Sequence, residues 1–97
     1  MSSISSAVLN GLLEGMIVTL SEGNLDDLSS LGKAYQRLKS VGVDGEDANL
    51  VSEILNNLLI AMQKSHPEDL EILSSTYQRV ASIELNKAIN NLQEKSV

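Results

Sequence analysis

Tyr35-Gln36-Arg37 returns as Tyr77-Gln78-Arg79, and these two triplets hold both tyrosines and both arginines of the 97-residue chain. Sliding the sequence along itself by 42 positions, the distance from Arg37 to Arg79, superposes them without a gap. Self-similarity at a fixed offset marks repeated structural units. The same offset pairs Asp27 with Asp69, Leu28 with Leu70, Leu31 with Leu73 and Ser40 with Ser82. Upstream it preserves apolar character: Val8, Leu9, Leu12, Leu13, Met16, Ile17, Val18 and Leu20 fall on Leu50, Val51, Ile54, Leu55, Leu58, Leu59, Ile60 and Met62.

The spacing predicts a duplicated helical hairpin, with one repeat over about 4–42, a second over about 46–84 and an extension over 85–97. Two repeats are too few for a solenoid. The expected architecture is therefore all-α, a four-helix bundle-like domain in which the hairpins pack face to face with pseudo-twofold symmetry.

Helix one is expected to start among Ser2 to Ser6 and to end near Gly23. Val8, Leu9, Leu12, Leu13, Met16, Ile17 and Leu20 make its core stripe at 100° per residue. Ile4, Ala7, Gly11, Gly15 and Val18 fill the opposite side, so this helix is apolar nearly all round. Glycines there weaken the helix but leave a smooth strip that another helix, or the chain's own tail, can approach closely.

Asn24, with Asp27 three residues on, predicts a cap for helix two, whose buried stripe is Leu28, Leu31, Tyr35 and Leu38. Gly42 ends it. Asp44-Gly45-Glu46-Asp47 reads as a solvated cap for helix three, expected over about 46–64 with Leu50, Val51, Ile54, Leu55, Leu58, Leu59 and Met62 inside. It is no EF-hand loop, because Asn49 and Leu55 stand where a glycine and a glutamate are needed. Pro67 suits the first turn of helix four. That helix should run to about Glu94, its stripe drifting from Leu70, Leu73, Tyr77 and Val80 to Leu85, Ala88, Ile89 and Leu92.

Composition narrows the function. There is no cysteine, which removes thiol chemistry and cysteine metal sites and is compatible with a reducing cytoplasm. A net charge of −6 argues against a nucleic-acid partner. The apolar run from Ile4 to Leu20, interrupted by Asn10 and Glu14, is expected to fall short of the roughly 20 residues of a membrane span, and no basic region precedes it as in a signal peptide. The single histidine, His66, sits in a turn. No phosphate-binding glycine loop or Ser/His/Asp set is present, so neither an enzyme nor a cofactor is expected.

Arg37 and Arg79 lie about 200° from their tyrosines and point outward, where they can clasp carboxylates or phosphates, pair with Glu14, Glu22 or Glu53, or stay exposed. Glu22, Asp26, Asp27, Glu68, Asp69 and Glu71 should gather at one end as an acidic pole. Those acids complement helix dipoles first, and offer a site for a basic partner or a divalent cation second.

The second hairpin, with Lys64-Ser65-His66-Pro67-Glu68-Asp69-Leu70 and then Tyr77-Gln78, resembles the helical hairpin of type III secretion needle subunits. The likeness implies a self-assembling hairpin. This chain departs from it in its duplication and its single proline. The expected function is a small cytoplasmic protein-binding module, an adaptor, chaperone-like factor or inhibitor. The alternative is a self-assembling subunit of a secretion or virion-type structure. The partner-binding residues expected are Ile4, Ala7, Gly11, Gly15, Val18, Arg37, Arg79, Leu85, Ile89 and Leu92.

Overall fold

The computed structural model describes the backbone of residues 2–95 and the side chains of residues 4–81. Within them the chain is all-helical, without strands: α1 (Ser2–Ser21), α2 (Leu25–Ser40), α3 (Ala48–Lys64) and α4 (Pro67–Lys95). The Leu85, Ile89 and Leu92 side chains lie outside the described residues.

Local chemistry sets the boundaries. Gly23 ends α1 at φ 75°, a left-handed conformation that side chains disfavour. Asn24 then caps α2: its Oδ1 accepts from the Asp27 backbone N–H at 3.3 Å, and its Nδ2 donates to Asp27 Oδ2 at 2.8 Å. Asp47 caps α3 by accepting from the Asn49 N–H at 2.9 Å. Helix three therefore starts at Ala48 rather than Glu46, because Glu46 is recruited elsewhere.

Each of α1 and α4 packs against both α2 and α3, whereas α1 makes no contact with α4 and α2 none with α3 among the described residues. The α2–α3 connection therefore crosses a diagonal. It passes under the start of α1, where Asn10 Oδ1 accepts from the Asp47 N–H at 2.8 Å and Gly45 lies against Ser6. That contact starts α3 beside the first half of α1, so the two run parallel, and α4 returns parallel to α2. The hairpins thus pack face to face, as expected, but the pseudo-twofold symmetry is corrected: they stack in the same orientation, first helix against first helix and second against second.

The core is aliphatic apart from one ring. Leu9, Leu13 and Met16 of α1, Leu28 and Tyr35 of α2, Val51, Ile54 and Leu58 of α3, and Leu73 and Val80 of α4 form one buried cluster. Burying such side chains stabilises by roughly 1.5–3 kcal/mol each. Three expected core residues, Val8, Leu59 and Leu70, are instead exposed. In a square of four helices each helix meets two neighbours, and these three residues fall beyond the edges of the two contacts. The phase also differs between hairpins: Leu28 and Tyr35 are buried where Leu70 is exposed and Tyr77 half-buried.

Candidate functional site

The outward face of α1 is apolar. Ile4, Ala7, Gly11 and Val18 are all exposed, Ile4 at 75% and Val18 at 51%, and their spacing places them on one side of the helix, opposite Leu9, Leu13 and Met16. Gly11 faces open space, with no atom within 4 Å of where a Cβ would stand. Gly15 differs: a Cβ there would meet Leu31 Cδ1 of α2 at 3.1 Å. It belongs to the α1–α2 contact, and the strip expected from sequence is correspondingly narrower. The window Ile4–Ser21 is, by length and composition alone, long and apolar enough to cross a membrane, a criterion that core helices and signal sequences also meet. Asn10 and Glu14 do not take it below that limit, contrary to the expectation from sequence.

Arg37 and Arg79 are brought together. Gly32 on α2 has no side chain, and the Thr76 methyl of α4 stands 3.2 Å from the place a Cβ would take. This close approach leaves Arg37 and Arg79, farther along each helix, lining one groove of about 440 Å³ with Lys33, Gln36 and Ser40. Neither arginine is ion-paired to any described residue. Lys33 was not singled out from sequence, although its place four residues before Arg37 puts both on one face of α2.

The other cation near this end of α2 is tied down. Lys39 Nζ lies 2.7 Å from Glu46 Oε2 and 2.8 Å from Asp44 Oδ1, and the Tyr35 hydroxyl donates to Glu46 Oε2 at 2.9 Å. The Lys39 and Glu46 side chains are only 5% and 3% exposed, whereas Asp44 is 69% exposed. Burial alone would push the Glu46 carboxyl up, but Lys39, its own backbone N–H and the Tyr35 hydroxyl together hold it below its ordinary value. Lys39, beside Asp44, holds that exposed carboxyl well below the usual range, helped by the Gly45 backbone N–H. The sequence reading of a solvated acidic cap is corrected here: Asp44 and Asp47 are exposed, but Glu46 is an internal anchor. The available signal was Lys39 facing Asp44 and Glu46 across the Gly42 turn.

This knot has no copy in the second hairpin, because Ala81 and Ala88 stand 42 positions after Lys39 and Glu46. The acids at the starts of α2 and α4 share one end of the molecule; Glu22, Asp26, Asp27, Glu68 and Glu71 are exposed and Asp69 half-exposed. Among the described residues no cluster of His, Cys, Asp and Glu is arranged to hold a metal ion. His66 is an exposed turn residue whose carbonyl accepts from the Asp69 N–H at 3.0 Å.

No family model, curated protein or solved structure matches this chain, so the likeness of its second hairpin to type III secretion needle subunits gains no support.

Proposed function

We propose that this chain is a non-enzymatic protein-binding module whose α1 receives a helix from another protein. The observation that carries the reading is the exposed strip of Ile4, Ala7, Gly11 and Val18, an apolar face on a helix whose opposite side is already satisfied by the core. An unpartnered apolar helix face is a binding surface in the sense of helix-in-groove recognition. Charge identifies the occupant. Glu14 and Glu22, both exposed, flank the strip, and α1 contains no Lys, Arg or His. A second copy would add acids with no base to meet them, whereas a helix with basic residues beside its apolar face complements the strip.

The module is further read as a duplicated hairpin, supported by the starts of α2 and α4 at Leu25 and Pro67, which keep the 42-residue offset of the sequence. A cytoplasmic setting belongs to this reading and rests on the cysteine-free composition. Self-assembly is the alternative, and one measurement separates the two. Absolute mass by light scattering over a hundredfold concentration range should stay that of a monomer. Proteins retained by the wild-type chain should be lost by both Gly11→Arg and Val18→Asp at unchanged helicity. A defined oligomer dispersed by the same substitutions would replace the foreign helix with a second copy.

A further inference from the structure

We infer that the groove between α2 and α4 binds a compact, multiply charged oxyanion of the phosphate class. Acidic residues outnumber basic ones 13 to 7, yet among the described residues no acid lines this groove and three of the seven cations do: Lys33, Arg37 and Arg79. None of the three is ion-paired to a described residue. Like charges gathered without a counterion oppose folding, and Lys33 and Arg37, four residues apart on one helix, repel directly. An anion in the groove removes that repulsion.

The donors fix the ligand's chemistry. A guanidinium presents a planar fork that takes two phosphate oxygens at once, and a lysine ammonium adds a point charge. The Gln36 amide supplies a neutral donor. Ser40 supplies none, because its hydroxyl already donates to the Arg37 carbonyl at 2.7 Å. Three cations match a phosphomonoester, which carries about −1.5 to −2 at pH 7, or a pyrophosphate, better than a single carboxylate. The groove volume of about 440 Å³ admits more than one phosphate group. A long polyanion is disfavoured by the net charge of −6 on the chain as a whole. The site lies on α2 and α4, so it is independent of the α1 strip.

The test uses the full chain and sodium pyrophosphate, with NMR observation of the Arg37 and Arg79 guanidinium N–H groups. Sodium chloride at equal ionic strength and citrate serve as comparisons. Both arginine signals should shift saturably with pyrophosphate, and the thermal midpoint should rise. Arg37→Gln with Arg79→Gln should weaken binding by about tenfold or more, and Lys33→Gln should weaken it less. A phosphoserine peptide run in parallel identifies the source: tighter binding than pyrophosphate means a protein-borne phosphate, weaker binding a small-molecule one, and both support the site. Shifts no greater than with chloride, citrate binding as tight as pyrophosphate, or a double variant that binds unchanged would each overturn it. The wild-type titration tests the site even if a variant fails to fold.

Discussion

Tyr35, fully buried on α2, donates its phenolic hydrogen to Glu46, eleven residues on, at 2.9 Å. Its ring belongs to the core while its hydroxyl holds the connection that carries the chain diagonally to α3. The acceptor is an anion whose side chain is almost wholly enclosed. Tyr35→Phe should therefore cost about 1.5–3 kcal/mol, the range for a hydrogen bond to a charged group. Tyr77 is half-buried and has no such acceptor 11 residues on, where Ala88 stands. Tyr77→Phe should change stability by no more than about 0.5 kcal/mol. Urea denaturation of the two variants checks this, and equal losses would show that the hydroxyl–carboxylate bond contributes nothing particular.

The knot also sets a pH dependence. The folded chain holds the Glu46 and Asp44 carboxyls below their ordinary values of 4.5 and 3.8. Their contribution is complete above those values and is lost as pH falls through the lower folded ones. Burial alone would lower the Lys39 ammonium, but its bonds to Asp44 and Glu46 hold it above its ordinary 10.5. Its contribution is complete below 10.5 and is lost as pH rises through the folded value. Lys39→Met leaves Glu46 enclosed without its counter-charge and should cost about 3 kcal/mol at pH 7. It should also flatten the decline below pH 4.5. Urea midpoints measured from pH 7 to pH 2 on both proteins decide the matter, and parallel curves would place the acid sensitivity elsewhere.

Much of this was legible in the sequence because helices announce themselves locally. Asn24 with Asp27, Gly23 and Pro67 gave the boundaries to within a residue or two. Which helix meets which was not legible. Periodicity states which side of α1 is apolar but not whether α3 or α4 covers it; a two-fold arrangement fits the pattern equally well, and it is Asn10 holding Asp47 that places α3 there. Stacking of the hairpins in the same orientation is also why Leu70 is exposed although Leu28, 42 positions earlier, is buried. Glu46 was hidden for a similar reason: its partners Tyr35 and Lys39 belong to the preceding helix, and only the turn between them brings the three together. The convergence of Arg37 and Arg79 follows from the Gly32–Thr76 contact, which the 42-residue offset could not show, since it does not bring those two positions into register.

That contact has a cost of its own. Thr76 Oγ1 is buried without a hydrogen-bond partner among the described residues. Replacing the hydroxyl by a methyl of similar shape in Thr76→Val removes the desolvation penalty and should stabilise by about 1 kcal/mol. Gly32→Ala gains about 1 kcal/mol of helix propensity, but its new methyl meets Thr76 Cγ2 at 3.2 Å. The two effects oppose each other, so the single substitution should yield less than propensity alone. Thr76→Ser, which deletes that Cγ2, should restore the difference. A double-mutant cycle read by chemical denaturation should show coupling of about 0.5 kcal/mol or more, and strict additivity would mean that the helices separate freely at this point.

Gly11 and Gly45 should respond to alanine in opposite directions. Gly45 has φ 99°, and a Cβ there would press on Ser6 Cβ at 3.3 Å, so Gly45→Ala should destabilise by about 1–2 kcal/mol. Gly11 lies inside α1 with open space around it, so Gly11→Ala should stabilise the isolated chain by about 1 kcal/mol. A stronger helix would then come at the expense of binding, because the added methyl stands on the strip that an incoming helix must approach closely. The expected pair of results is a higher urea midpoint and a weaker partner interaction in the same variant, with Gly11→Arg abolishing the interaction. A Gly11→Ala chain that is more stable and binds as well as wild type would leave that glycine without a role in recognition, and would move the binding surface off the centre of α1.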